Sequence, residues 1–281
     1  MAAFYRPSSL DEACQLLSGP ARPAVYAGGT AIPLFATQGL PTPTDLVDLS
    51  GVAGLDDLSV TADGLRLGPL VTIRRLERDP QVADAAPLLA KAAAEVAHPR
   101  IRNVATIGGS IGYADPRLDT LGSLLVLEAR IDVVSAAGSR SVAAREFFVG
   151  RHATALAPGE LVAGVELPRQ PPGSGAAFAK YTSLAEADWP CASVAALALA
   201  PAEDRRELRL GLGAVADVPV FVSVQLPTGA TVDDAIDAAE QAAQPLIRPT
   251  VDVRGSASYK RKLALVAIAD ATRQAWQEVA R

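Results

Sequence analysis

Cysteine is almost missing from this chain of 281 residues: Cys14 and Cys191 are the only two. Two thiols so far apart supply neither the four thiolates of an iron–sulfur cluster nor a disulfide framework. Histidine is as scarce. His98 and His152 have no Cys or His at ligand spacing, so no metal site is read. Aromatic residues make up 5% of the chain, which leaves few rings to stack on bases. No basic patch or Lys/Arg run stands out beside the formal net charge of -5, so nucleic acid is not an expected partner. The longest apolar run, Ala192 to Ala200, is too short to span a bilayer. The opening MAAFYRPSSL lacks both the basic and the apolar region of a secretory leader. A soluble cytoplasmic protein is expected. Ser110 has no histidine near it, so no nucleophile is assigned and no catalytic residue is named.

What the chain does have is apolar content, at 49%, with 20% charged residues. That suffices for two or three domains with real cores. Ser8 or Ser9 is predicted to cap a helix from Leu10 to Leu17, ending at Gly19-Pro20. Ala24 to Ala27 reads as a strand, a helix opens between Ala31 and Gln38, and Leu46 to Leu49 is a further strand. Together they make a small α/β unit, residues 1–54. Leu58 to Leu67 alternates around Asp63-Gly64, a hairpin signal. Thr72 caps a helix through Glu77, and Pro87 to Ala97 is another that stops before His98-Pro99. Strands follow at Ile131 to Ser135, Arg140 to Val142 and Leu161 to Leu167, which closes a second unit, residues 55–170. QPPGSG, Gln170 to Gly175, reads as a linker. Residues 176–281 then give three strands (Ala177–Tyr181, Ala192–Ala200, Glu207–Ala214) and two helices. Thr231 caps the first helix through Ala243. Ser256 or Ser258 caps the second, to about Arg281. An antiparallel sheet followed by helices is an α+β pattern.

Two glycine motifs carry the chemistry. Thr106 to Asp119 reads TIGGSIGYADPRLD. Gly108-Gly109 lets the chain turn sharply and present successive N–H groups as an anion-binding nest. Ser110 adds a hydroxyl, and Asp115 and Asp119 follow within ten residues. Asp119 is predicted at the N-cap of a helix from Thr120 to Leu127. The second motif is Ala27-Gly28-Gly29-Thr30, between a strand and the helix opened by Ala31. Strand, Gly-Gly turn and helix N-terminus form a phosphate site. Neither motif is a dinucleotide GxGxxG or a P-loop. Each turn alone can be structural, and either aspartate alone can be a helix cap. Side by side, backbone donors and carboxylates suit a ligand with both phosphates and hydroxyls or ring N–H groups, as in a nucleotide. Arg100 and Arg102 flank the path to the Gly108-Gly109 turn and face either a diphosphate or solvent.

These motifs, with HPRIRNVATIGG (His98 to Gly109), GELVAGVELP (Gly159 to Pro168), AFAKYTSLAEADWPCASVAALAL (Ala177 to Leu199) and RGSASYKRKLALVAIADA (Arg254 to Ala271), resemble the FAD-binding subunits of the molybdenum hydroxylases. That family takes in the medium subunit of aerobic carbon monoxide dehydrogenase and the flavin domain of xanthine dehydrogenase. The resemblance runs the whole chain. It implies a multidomain α+β FAD-binding fold of the PCMH/VAO type. The flavin would lie between the first two domains. The third, of the carbon monoxide dehydrogenase flavoprotein C-terminal type, would close over the ring. By resemblance Asp119 matches a flavin-contacting acid, and Leu161 and Val162 touch the flavin through main chain. Lys180 lies beside the flavin, where a cation favours the anionic reduced form. Trp189 packs near the isoalloxazine; a core residue at the start of a strand is the equal alternative. Two positions depart from the family pattern: Ser110 replaces an Asn or Asp, and Ala31 an Asp or Ser. Each removes a side-chain contact. The implied partners are an iron–sulfur small subunit with [2Fe-2S] clusters and a large subunit with the molybdopterin cofactor. Electrons would pass through FAD to an external acceptor such as NAD, oxygen or a quinone. A stand-alone flavoprotein oxidase or reductase of the same fold is the alternative, and a nucleotide-binding regulatory module without redox chemistry is a third reading.

Overall fold

Helix starts set much of the chain's course, and Ser9 makes the first one. Its side chain accepts the Glu12 amide, while the Glu12 carboxylate accepts the Ser8 amide and hydroxyl. This reciprocal cap satisfies donors that a helix N-terminus leaves open. The computed structural model describes residues 3–19 and 23–279. Its first unit holds β1 (Phe4–Tyr5), α1 (Leu10–Ser18), β2 (Ala24–Tyr26), α2 (Ile32–Thr37) and β3 (Leu46–Asp48). The strands form a parallel sheet in the order β1-β3-β2. Ala13, Cys14 and Leu17 of α1 pack with Val47 and Leu49 in a small core. The expected stop at Gly19-Pro20 is half visible: the Gly19 amide donates to Leu16, and Pro20 lies outside the described residues.

The second unit starts with the predicted hairpin, β4 (Leu58–Val60) and β5 (Gly64–Leu67). Six helices follow: α3 (Ile73–Arg78), α4 (Pro80–Ala85), α5 (Pro87–Ala94), α6 (Pro99–Arg102), α7 (Ile107–Tyr113) and α8 (Asp119–Val126). Next come β6 (Arg130–Ser135), β7 (Gly138–Ala143), α9 (Ala144–Phe147), the short pair β8 (Phe148–Gly150) and β9 (Ala153–Thr154), and β10 (Leu161–Pro168). The strands pair antiparallel in the order β4-β5-β10-β6-β7. Two readings of this region are corrected. Gly108-Gly109 does not form a sharp turn: both glycines lie inside α7, which Thr106 caps by accepting the Gly109 amide. Glycine disfavours a helix by ~1 kcal/mol per residue. Here the cap and the packing of Gly108 on Pro69 override that preference; a Cβ on Gly108 would meet the Pro69 Cβ at 2.5 Å. Asp119 is not an N-cap either. Leu118 holds that position without a side-chain bond, and Asp119 is the first helical residue.

The third unit is a four-stranded antiparallel sheet in chain order, β11 (Gly175–Tyr181), β12 (Ala192–Ala198), β13 (Arg205–Gly213) and β14 (Val220–Pro227). It ends with α10 (Val232–Ala243) and α11 (Ala257–Glu278). Thr231 and Asp234 form a full capping box on α10, and Ser256 caps α11. The predicted end of α11 near Arg281 falls outside the described residues. β14 is a strand the sequence reading omits. It starts just after Pro219 and has a weak burial alternation, as an edge strand does. The two helices cover one face of the sheet in an alanine-rich core.

The other face of that sheet meets the second unit through α8, all eight of whose residues are buried. Gly122 on α8 faces Gly211 on β13, backbone to backbone. A Cβ on Gly211 would stand 2.0 Å from the Gly122 carbonyl oxygen. This close approach brings the first turn of α8 against β11. The expected linker is pinned as well. Gln170 is buried, donates its amide to Ala85 and accepts the Leu88 amide at 3.0 Å.

Candidate functional site

A cavity of about 330 Å³ opens between the first and second units, within the range of about 300–1,000 Å³ usual for small-molecule sites. One wall is the turn from Ala27 to Ala31, which carries the chain from β2 into α2. The facing wall is α7, from Thr106 to Ser110 and on through Gly112 and Tyr113. Leu161 and Val162 at the start of β10 close a third side. Eleven of the site residues named from sequence therefore meet here: Ala27, Gly28, Gly29, Thr30, Ala31, Thr106, Gly108, Gly109, Ser110, Leu161 and Val162.

The two glycine motifs do different work. In the 27–31 turn, the amides of Gly28, Gly29, Thr30 and Ala31 make no hydrogen bond to any described residue. Gly29 has φ +70°, a left-handed conformation that favours glycine. Gly28 is fixed by a close approach: a Cβ there would come within 1.9 Å of the Val104 carbonyl oxygen. Four successive free donors beside a helix start make an anion cradle. The α7 motif has no such donors free. The Ile107 amide bonds Val71, Gly108 bonds Pro69, Gly109 bonds the Thr106 hydroxyl and Ser110 bonds the Thr106 carbonyl. The nest expected there is already filled from within. What α7 offers instead is space. A Cβ on Gly112 would have nothing within 4 Å. The Ser110 hydroxyl turns back to the Thr106 carbonyl at 3.0 Å.

The remaining four predicted residues stand behind the wall. Asp115 is fully buried and accepts the Arg117 amide, Nε and Nη2 at 2.9, 2.9 and 2.6 Å. His152 Nε2 lies 3.6 Å from its carboxylate. Asp119, 6% exposed, accepts the Lys180 ammonium on Oδ2 at 2.7 Å, and Lys180 also donates to the Glu95 carbonyl at 2.7 Å. The second oxygen, Oδ1, is buried and has no partner among the described residues. Burial pushes the Asp119 carboxyl up to about 7, with Lys180 pulling the other way. The lysine is thus already engaged by the Asp119 carboxyl group and the Glu95 carbonyl. Trp189 does not begin a strand. It sits in the loop between β11 and β12, edge-on to Tyr113 and flat under the Arg117 guanidinium at 4.0 Å.

A family profile described as the FAD binding domain in molybdopterin dehydrogenase matches residues 1–170. The chain belongs to this family. Its similarity to individual members extends beyond that domain. It is 32% identical over 266 residues to the nicotine 6-hydroxylase medium subunit of Paenarthrobacter nicotinovorans, covering 92% of each chain. It is 30% identical over 278 residues to the carbon monoxide dehydrogenase medium chain of Afipia carboxidovorans, covering 97% of this chain and 96% of that one. Among solved structures, a chain of carbon monoxide dehydrogenase from Hydrogenophaga pseudoflava superposes with a TM-score of 0.90 at 28% identity, over 99% of this chain and 98% of that one. A chain of quinoline 2-oxidoreductase from Pseudomonas putida 86 gives 0.88 at 30% identity, over 100% and 99%. The α+β flavoprotein fold is shared from end to end.

As an FAD domain the cavity is chemically suited. The free amides match a diphosphate, and the rest of the wall is mostly apolar, as a ring system needs. Phe35, Tyr113, Leu118 and Leu156 line it without having been singled out from sequence. Tyr113 lies inside the Thr106–Asp119 motif, so its position was a signal; Leu156 had none. Arg102 is excluded from a phosphate role by its other bonds. It donates to Glu77 at 2.8 Å and to the carbonyls of Val96 and Ala97. Among the described residues, no helix is long and apolar enough to cross a membrane.

Proposed function

We propose that this chain is the FAD-binding medium subunit of a cytoplasmic molybdenum hydroxylase-type complex. It would take electrons from [2Fe-2S] clusters of a small subunit, while a large subunit holds the molybdopterin cofactor and the substrate. The observation that carries the reading is the cradle of four free amides from Gly28 to Ala31 at the mouth of a largely apolar cavity, in a chain of this family. Bound FAD supplies a carrier that accepts electrons singly and releases them in pairs. The residues of this chain bind and shield it. The 27–31 amides hold the diphosphate. Gly109 and Gly112 leave α7 flat enough for the cofactor to lie against it, and Leu161 and Val162 exclude water from the inner side. Asp115, Asp119, Lys180 and Trp189 act from behind that wall, holding the third unit over the cavity. Ser110 offers little to the cofactor because its hydroxyl is turned to Thr106, so the departure from Asn or Asp costs a contact.

The relatives named as medium chains favour this reading over a stand-alone flavoprotein. The test is purification of the tagged chain from its native host. Visible flavin absorbance, with iron and molybdenum in co-purifying subunits, is the expected result. A yellow chain that comes down alone and free of both metals removes the complex from the proposal. A colourless chain that does not take up added FAD removes the cofactor.

A further inference from the structure

One side chain of the Thr106–Asp119 motif ties all three units together beside the cavity. Arg117 holds buried Asp115 of the second unit with two guanidinium bonds, at 2.6 and 2.9 Å. It reaches Gln38 of the first unit at 3.4 Å. In the third unit it lies 4.0 Å from the Asp252 carboxylate, and its guanidinium covers the Trp189 ring at a centroid distance of 4.0 Å. Its side chain is only 15% exposed. Trp189 in turn stands edge-on to Tyr113, with centroids 6.5 Å apart, and Tyr113 edge-on to Phe35 at 5.7 Å. Tyr113 and Phe35 both line the cavity. The rings therefore run from the cavity wall outward to Trp189, and Arg117 clamps the last of them. The loop that carries Trp189 has no regular structure from Thr182 to Cys191, and residues 183–187 are exposed. The loop is otherwise tied at its base, by Ser183, Asp188 and Cys191 to Arg254 and by the Cys191 amide to Tyr181, and the guanidinium stack acts on the indole itself.

We propose that Arg117 is a positioning residue that fixes Trp189 as the outer wall of the cavity's aromatic end, and so limits the access of solvent and dioxygen to a flavin ring bound there. The inference rests on the cavity being the FAD site. A guanidinium suits the task as an ammonium does not. It is planar, stacks on the indole, and at the same time grips the Asp115 carboxylate with two parallel N–H groups. Losing the stack loosens the loop, and the population with the indole swung away should rise about 5-fold, taking the partly buried cation–π contact at about 1 kcal/mol.

The test uses the full chain with bound FAD. Wild type, Arg117→Lys, Trp189→Leu and the double variant are compared for iodide quenching of flavin fluorescence. They are also compared for the rate at which dioxygen reoxidises the photoreduced flavin, a step that passes two electrons and two protons to O2 and gives hydrogen peroxide. Arg117→Lys should raise both readouts about 5-fold, Trp189→Leu at least as much, and the double variant no further than Trp189→Leu. Tryptophan quenching in the FAD-free chain provides a readout that does not need the cofactor. Trp276 is buried, so a larger quenchable fraction in Arg117→Lys reports a loosened Trp189. If Arg117→Lys matches wild type in flavin and tryptophan quenching, the proposal fails. Additive effects in the double variant also overturn it, because Arg117 would then act without Trp189. Failure of wild type itself to bind FAD would defeat the reading of the cavity, which is a separate outcome.

Discussion

Lys180 on β11 donates to Asp119 on α8 at 2.7 Å, and this ion pair crosses between the third unit and the second with both side chains less than a tenth exposed. It is placed there by the glycine-to-glycine contact of Gly122 with Gly211, which lets α8 lie directly on the sheet. Removing one partner of such a pair strands the other, at a cost of about 3–5 kcal/mol if the remaining group stays charged. Asp119 has an escape: it can take a proton.

The pH dependence follows from that proton. The folded carboxyl sits at about 7, raised by burial, against 3.8 for an unperturbed aspartate. Between those values the folded chain holds a proton that the unfolded chain does not. The stability this group contributes is fully present below about pH 4 and falls as pH rises, levelling above about 7. The limiting slope is about 1.4 kcal/mol per pH unit for one proton. Urea unfolding of Asp119→Asn should lack that decline. An unchanged slope in the variant would show that Asp119 is ionised throughout.

Lys180→Met sharpens the same point. Without the ammonium, nothing pulls the Asp119 carboxyl back down, so protonation persists to higher pH and the decline in stability continues above 7. The cost of the substitution should therefore be small near pH 5 and grow toward pH 9. Chemical denaturation at those two conditions decides it. Equal losses at both would mean that the pair contributes no titrating charge.

Arg102→Ala separates a structural arginine from a phosphate ligand. Arg102 is buried, bonded to two carbonyls beyond the end of α5 and to Glu77. Burial works against ionised Glu77, but hydrogen bonds from Arg74 and Arg102 hold its carboxyl below the usual range. The variant should lose about 1.5–3 kcal/mol of stability, as for a hydrogen bond to a charged group, while FAD affinity per folded molecule stays at the wild-type value. A selective drop in affinity, read by fluorescence titration, would return Arg102 to the diphosphate.

The sequence showed the strands and caps well because their signals are local. Ser9, Thr72, Thr231 and Ser256 cap where a hydroxyl before an apolar run says they should. The hairpin at Asp63-Gly64 and the β6–β7 turn at Gly138 follow from glycine's conformational freedom. The α7 helix was hidden because its glycines contradict helix propensity, and what overrides that preference, Pro69 packed on Gly108, is 39 residues away in sequence. For the same reason the free amides could not be told from the filled ones. Gly28 and Gly108 look alike in sequence, but only a three-dimensional partner decides which N–H groups are already used. The places of Asp119, Lys180 and Trp189 behind the wall likewise depend on how the third unit docks, which no local pattern encodes.

The two glycine walls of the cavity should respond to alanine in opposite ways. Gly112 is inside α7, and a Cβ there meets nothing within 4 Å. In the FAD-free chain Gly112→Ala should stabilise by up to about 1 kcal/mol, the helix-propensity difference between the two residues. Its methyl points into space that the cofactor would occupy, so FAD binding should weaken and the melting temperature gained on adding FAD should shrink. Gly28→Ala has no such room. Its Cβ would stand 1.9 Å from the Val104 carbonyl oxygen and 3.0 Å from the Ala105 Cα. Backbone must move, at a cost of about 1–3 kcal/mol, and the 27–31 amides move with it. This variant should melt lower both with and without FAD. Thermal melts of the two variants at zero and saturating FAD give four shifts relative to wild type. If Gly112→Ala raises the melting temperature equally in both states, the cofactor does not lie against α7. If Gly28→Ala melts like wild type, the 27–31 turn is not pressed against the second unit, and the cradle loses its anchor.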